Sequence, residues 1–160
     1  MTISPNMQIK IDRINALIAQ GYTLRKSGFN VDFRNSSGKP VSVFGFFRSP
    51  AGFSWIAFFF PFAVCTQIKE WSFFYISGAA YAIASLIAGF SGVDSGSAVS
   101  LGVGLVYGYV FPYLRLLAKQ SGTEEYSRTK SIVLGFFLAF VSVIPSAIID
   151  ATFELIKQSR

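Results

Sequence analysis

Few side chains in this sequence have the types and spacing that catalysis or metal binding requires. Asp150 and Glu154 are carboxylates four residues apart, a spacing that could hold a cation, but we interpret them as part of a solvated helix face. The single cysteine, Cys65, lies among apolar residues, as is typical of an inert packed thiol. Histidine is absent, so the serines of SGVDSGS (91–97) have no imidazole to activate them. We therefore predict no enzyme activity, no cofactor and no metal site.

The distribution of charge predicts an integral membrane protein. Three segments of about 20 residues carry no charge, which is the length of a helix that crosses a hydrocarbon core of roughly 30 Å. A soluble domain of 160 residues needs amphipathic helices, and these segments have no polar face. The sequence thus predicts an all-α integral membrane protein with transmembrane helices at 71–90, 95–114 and 131–149. No ionisable residue lies clearly in the middle of a span, so a transport path is not indicated.

A further apolar stretch, residues 51–68, is split by Pro61 into halves that are each too short to span a bilayer. If this stretch crossed, the four basic residues of the 115–130 loop would lie outside, against the rule that keeps Lys and Arg on the cytoplasmic side. If it returns, every basic loop is cytoplasmic. We predict a re-entrant or interfacial segment; the alternative is a kinked fourth transmembrane helix, which Pro61 alone would allow.

The same argument assigns cytoplasmic anchors and an orientation. The N-terminus is predicted to be cytoplasmic and the polar tail, residues 150–160, to lie outside. Arg115 is expected to snorkel from the end of its span. The predicted anchors are Lys69, Arg115, Lys119, Arg128 and Lys130.

Residues 53–71 carry an aromatic motif suited to a membrane interface. Its members are Phe53, Trp55, Phe58, Phe59, Phe60, Pro61 and Trp71. The run FSWIAFFFP, followed by KEW, resembles a family of small bacterial inner-membrane proteins of unknown function that read Phe-x-Trp-x-Ala-Phe-Phe-Phe-Gly-Pro and then a basic pair before another Trp. Two departures are the missing glycine before Pro61 and the pair Lys69–Glu70. The resemblance implies a bacterial inner-membrane location and no known activity.

Residues 1–50 are predicted to form a small cytoplasmic α+β region. Apolar residues at helical spacing over 7–19 indicate an amphipathic helix that stops at Gly21. Alternating residues and the turn-rich SSGKP indicate a β-hairpin over about 29–46. This region, which holds seven basic and two acidic residues, either docks on anionic lipid or a partner, or packs on its own transmembrane helices. Nucleic acid is not indicated, because the charge is dispersed.

Small residues at four-residue steps predict where the spans pack together. We expect intramolecular packing, with a homo-oligomeric interface as the alternative, and kinks at Pro112 and Pro145, where Ser142 and Ser146 could satisfy freed carbonyls. The predicted helix-packing residues are Ala80, Ala84, Ala88, Ser100, Gly104, Gly108, Gly135 and Ala139.

Three functions fit a small membrane protein without catalytic groups. The first is a subunit or assembly factor of a larger membrane complex, which would bind a protein partner in the membrane or at its cytoplasmic face. The second is an oligomeric pore or toxin-like effector, with Ser85, Ser97 and Ser100 lining the pore. The third is an immunity protein against a membrane-active toxin.

Overall fold

A computed structural model of the chain describes residues 3–44, 49–93 and 96–159. These residues are mostly helical, with one two-stranded antiparallel sheet. The elements in chain order are α1 (Pro5–Ala19), β1 (Thr23–Ser27), β2 (Asn30–Arg34), α2 (Trp55–Phe59), α3 (Pro61–Gln67), α4 (Ser72–Ser91), α5 (Gly96–Gln120), α6 (Arg128–Ser142) and α7 (Ile144–Gln158).

Three helical stretches in the described part of the chain are long and apolar enough to cross a membrane. They are α4, α5 and the combined α6–α7 stretch, Arg128–Gln158, which has the highest mean hydropathy of the three. The number and approximate positions agree with the sequence prediction, although α5 and α6–α7 extend well beyond the uncharged segments. The stretch 51–68 instead contains two helices of five and seven residues, neither of which is long enough to span a bilayer.

A break at Val143 separates α6 from α7, in the region of the kink that Pro145 predicts. Pro145 has no N–H to donate to the carbonyl four residues earlier, so it is placed in the first turn of a new helix. The hydroxyls of Ser142 and Ser146 donate to the carbonyls of Ala139 and Val143, at 2.8 and 2.7 Å. These serines therefore supply extra hydrogen bonds on both sides of the break.

The amphipathic helix predicted in the N-terminal region is present as α1. Ser4 caps it, with its side chain accepting from the N–H of Met7, and Pro5 occupies the first turn. The helix ends before Gly21, whose φ of +92° is costly for any other residue. Its buried residues, Met7, Ile11 and Ile14, join the same core as α5. The apolar face of α1 is therefore covered by the chain's own helices.

The β-hairpin lies earlier in the sequence than predicted. β2 coincides with the predicted first strand, but its partner is β1, with Thr23 opposite Arg34 and Ser27 opposite Asn30. Across SSGKP the predicted pairing is reduced to an isolated antiparallel bridge between Arg34 and Pro40, with the Val41 N–H donating to the Phe33 carbonyl at 2.7 Å. Residues 41–44 do not continue as a strand, and 45 and 46 lie outside the described residues. The turn explains the difference: Gly28 has φ +58° at the first position of a two-residue loop, where a type II′ hairpin turn requires glycine.

The second half of α5 is the centre of the molecule. Every residue from Tyr107 to Leu116 is buried, so this stretch is enclosed on all sides. α1, the β-hairpin, α2, α3 and α4 all pack against α5. The ring of Phe33 in β2, for example, lies 5.5 Å from the ring of Tyr113. The first half of α5 is mostly exposed.

Replacing Phe33 by alanine should destabilise the fold strongly, by about 3–5 kcal/mol, because its ring is 1% exposed and packs on Tyr22 and Tyr113. Phe29→Ala is the matched control. That ring is 69% exposed in the turn, so its loss should change the free energy of unfolding by no more than about 0.5 kcal/mol. SDS titration in mixed micelles, followed by tryptophan fluorescence, measures both. Equal losses would contradict the packing of β2 on α5.

Candidate binding site around the α2–α3 unit

The aromatic motif folds into two short helices, which we call the α2–α3 unit (residues 53–67). The Ser54 side chain caps α2 by accepting from the N–H of Ala57, at 3.4 Å. Phe60, with φ −130° and ψ 50°, ends α2 and precedes α3. Pro61 then occupies the first turn of α3, where its missing N–H costs nothing. The proline thus divides the apolar stretch as the sequence predicts.

A notch on α5 receives the start of this unit. Pro112 cannot donate to the carbonyl of Gly108, four residues earlier, so that carbonyl is left without a helical partner. The backbone N–H of Ser54 donates to it instead, at 2.8 Å. Gly108 has no side chain, and the ring of Phe53 occupies the space that a Cβ would fill. The Gly108–Pro112 pair therefore provides both an acceptor and room for the unit.

The unit enters and leaves at the same end of the bundle. The N–H of Ala51 donates to the Tyr113 hydroxyl at 3.3 Å, and Phe58 packs against Gly104, about two turns earlier in α5. The chain then turns back along α6, and the carbonyl of Gln67 accepts from the N–H of Tyr126 at 3.0 Å. α5 and α6 make few direct contacts within the described residues. The α2–α3 unit occupies part of the space between them.

The aromatic side chains of the motif have two different environments. Phe53 and Phe58 are half-buried, and the Phe53 ring lies 4.8 Å from that of Tyr109 on α5. Trp55, Phe59 and Phe60 are exposed. Pro61 is half-buried, and Trp71, at the start of α4, lies beside the rings of Phe74 and Tyr126. One part of the motif therefore fixes the unit to α5, and another part forms an exposed aromatic surface.

Two ion pairs, each with one buried partner, lie at the end of the bundle where the unit begins and ends. Glu70, only 6% exposed, accepts from the Lys26 ammonium at 2.7 and 2.8 Å and from the Ser72 hydroxyl. This pair ties β1 to the segment before α4. Sequence reasoning missed it, although one signal was present: Glu70 is the only acidic residue between Asp32 and Asp94.

The second pair corrects the prediction that Arg115 snorkels. Arg115 is 8% exposed, and its Nη2 donates to both carboxylate oxygens of Glu125, at 2.9 and 3.1 Å. The side chain is held inward because Glu125, in the loop before α6, supplies a partner within reach. Burying a guanidinium without a partner is costly, and the Glu125 carboxylate offsets that cost.

The other predicted anchors are arranged around this end. The ammonium groups of Lys69 and Lys130 lie 4.9 and 4.1 Å from the centre of the Tyr126 ring, a cation–π arrangement. Lys119 and Arg128 are exposed. The five residues therefore share one end of the molecule, and we call it the basic end.

The predicted helix-packing residues are placed differently from a simple pairing of α4 with α5. Phe58 and Phe53 of the α2–α3 unit cover Gly104 and Gly108, and the Phe62 carbonyl and Thr66 cover Gly135 on α6. These three glycines therefore contact the α2–α3 unit, and the absence of a side chain on each lets the rings and backbone of the unit come close to α5 and α6. Ala84 is buried, Ala80, Ala88 and Ala139 are half-buried, and the exposed Ser100 contacts the Tyr81 hydroxyl at 2.8 Å.

Two glycines that the sequence analysis did not select make the contacts between spans. Gly78 of α4 faces the backbone carbonyl of Ser142, and Gly89 faces the ring of Phe153. α4 therefore runs alongside both α6 and α7, and a side chain at either position would separate them. The end of α7 lies at the opposite end of the bundle from the basic end.

The side chains considered for chemistry remain isolated. Cys65 is buried in α3, and burial raises the pKa of its thiol well above the ordinary value, which disfavours the reactive thiolate. Asp150 and Glu154 are exposed, and Glu154 accepts from Lys157 at 3.0 Å. Among the described residues, no three His, Cys, Asp or Glu side chains are grouped closely enough to hold a metal ion.

A cavity of about 490 Å³ opens beside the α2–α3 unit, between α5 and α6. Most of its wall is apolar, with Phe60 and Phe62 from the unit, Phe111 from α5 and Ile132 from α6. Its polar part is at the basic end, where Ser4, Gln67, Arg115, Arg128 and Ser131 contribute. The arrangement joins an apolar space to two guanidinium groups.

Comparison with known proteins gives no relative: no family model, no curated protein and no solved structure matches the chain at a significant level. The resemblance of residues 53–61 to a bacterial membrane family therefore stays a prediction.

Gly108→Ala should weaken the attachment of the α2–α3 unit to α5. The added methyl group would collide with the Phe53 ring, and overpacking of this kind costs about 1–3 kcal/mol. Gly102→Ala is a matched control on the same helix, where a Cβ meets nothing within 4 Å. It should stabilise the helix by about 0.5–1 kcal/mol. The same SDS titration measures both variants. A stabilising effect of Gly108→Ala would contradict the packing of the Phe53 ring against Gly108.

Proposed function

We propose that this chain is a non-enzymatic integral membrane protein that acts as a subunit or assembly factor of a larger membrane complex. The observation that carries the proposal is the poor coverage of α6–α7. In its most apolar 18-residue window only 6% of the residues are buried by the rest of the chain, against 61% in α5. A small subunit needs such an uncovered helix to contact a partner within the membrane.

A row of large apolar side chains, three of them phenylalanines, runs along the uncovered face of α6. Val133, Phe136, Phe137 and Phe140 are all exposed and recur at steps of three or four residues, so they lie along one face of the helix. Aromatic rings give a neighbouring helix a large contact area. We propose a transmembrane helix of a partner protein as the occupant of this row.

The use of the buried charges supports a role in binding rather than transport or catalysis. The buried Glu70 and Arg115 are engaged in the two ion pairs at the basic end. Both pairs join separate parts of the chain, Lys26 with Glu70 across the N-terminal region and Arg115 with Glu125 across the loop before α6. Carboxylates committed to such links, here Glu70 and Glu125, are poorly suited to carry a transported cation.

For the orientation, we infer that the basic end faces the cytoplasm of a bacterial cell and that the protein lies in the inner membrane. The positive-inside rule supports this side for Lys69, Lys119 and Lys130. The α2–α3 unit, whose two ends both meet the basic end, then acts as a re-entrant segment. Three helices cross, and the end of α7 lies outside.

Cysteine accessibility tests this topology. In a Cys65→Ser background, single cysteines at Ser37, Lys69, Val93 and Ser159 would be labelled with a membrane-impermeant maleimide in right-side-out and inverted vesicles. Residues 37 and 69 should react only from the cytoplasmic side, and 93 and 159 only from outside. Labelling in SDS provides the total for each variant. Reaction of residue 69 from outside would establish a fourth crossing and contradict the re-entrant segment.

Photocrosslinking tests the partner. Benzoylphenylalanine at Phe137, within the row, should yield a discrete protein adduct in intact membranes, whereas the same residue at the exposed Phe90 of α4 should yield less. Purification in mild detergent should recover the adduct partner with the unmodified chain. A monodisperse monomer without protein adducts would contradict the proposal. Adducts between copies of this chain would favour the oligomeric pore instead.

A further inference from the structure

The cavity beside the α2–α3 unit has the build of a site for an amphiphile. Its volume of about 490 Å³ lies within the roughly 300–1,000 Å³ that small-molecule sites occupy. Ile56, Phe60 and Ile132 at its wall are themselves exposed, so the apolar part is accessible from the side of the bundle. In a membrane this side faces the acyl chains of lipids.

The polar part of the cavity contains a guanidinium whose hydrogen-bond donors are only partly used. Arg115 lines the cavity with nine-tenths of its side chain buried, yet its Nε has no hydrogen-bond partner among the described residues. Glu125 occupies Nη2 only, and a guanidinium has five N–H donors. The guanidinium therefore has N–H donors left for another acceptor.

The surroundings of Arg115 also favour an anion. Arg128, an exposed guanidinium in the first turn of α6, lines the same cavity. Ser4, the N-cap of α1, also lines the cavity, and helix N-termini carry partial positive charge. Phosphate oxygens match guanidinium groups in charge and geometry.

We propose that this cavity binds one anionic glycerophospholipid, with an acyl chain against Phe60, Phe62 and Ile132 and the phosphate at Arg115 and Arg128. The lipid would fill the gap between α5 and α6 that the α2–α3 unit leaves open. A phosphate without acyl chains would leave the apolar wall uncovered, and an acyl chain without an anion would make no use of Arg128 at the polar part of the cavity. Both parts of the ligand are therefore needed.

The test uses the full chain purified in mild detergent and native mass spectrometry. Dioleoyl-phosphatidylglycerol and dioleoyl-phosphatidylcholine share acyl chains and differ in net charge. One phosphatidylglycerol should be retained per chain, with a preference of about fivefold, the factor expected for one basic residue near an anionic lipid. Equal retention of the two lipids would overturn the proposal. Displacement of phosphatidylglycerol by an equal concentration of soluble glycerol 3-phosphate would also overturn it.

Variants locate the site. Arg128→Gln should lower phosphatidylglycerol retention by about fivefold, and Ile132→Trp should lower it by obstructing the apolar part. Lys119→Gln is the matched control, because Lys119 is exposed at the same end but does not line this cavity. All three positions are exposed, so the fold should tolerate the changes. If Lys119→Gln lowers retention as much as Arg128→Gln, the binding reflects general surface charge and the proposal is wrong.

Discussion

The hydrogen bond from the Ser54 N–H to the Gly108 carbonyl is the joint on which the architecture depends. It can form because Pro112 has no backbone N–H to donate to the Gly108 carbonyl, and because Gly108 has no side chain to exclude the Phe53 ring. Without that acceptor, the N–H of Ser54 would be buried without a partner, at a cost of about 1–3 kcal/mol. The start of the α2–α3 unit is therefore fixed on α5 by a backbone contact.

The position of this joint determines how the rest of the bundle packs. Because α2 covers α5 and α3 covers α6, these two helices need not meet, and Gly135 contacts the Phe62 carbonyl rather than a side chain of α5. α4 instead takes α6–α7 as its main neighbour, through Gly78 and Gly89. Near the basic end, the α2–α3 unit packs together with the long helices α4, α5 and α6. Beyond Gly104, the elements of the described chain that continue are α4, α5 and α6–α7.

The sequence predicted what depends on local pattern and missed what depends on tertiary partners. Uncharged segments of sufficient length identified three long helices, and the split at Pro61 identified two short ones, because length and backbone chemistry decide both. The inward position of Arg115 was not predictable, since it requires Glu125 from a loop ten residues away. The same holds for Gly104 and Gly108, whose aromatic neighbours come from a segment some 50 residues earlier. The β1–β2 hairpin was not predicted, because the residues around Gly28 give a weaker turn signal in the sequence than SSGKP does.

The separation of α5 from α6 also explains why a cavity forms there. The α2–α3 unit turns back at Phe60, so it cannot fill the space along the whole length of α5 and α6. The side of this space that lies away from α4 stays open. At the basic end this space meets Arg115, whose guanidinium is paired with the Glu125 carboxylate. The apolar walls and this guanidinium therefore belong to one cavity beside the α2–α3 unit. Any substitution that lengthens or detaches this unit should alter the cavity and the environment of Arg115 together.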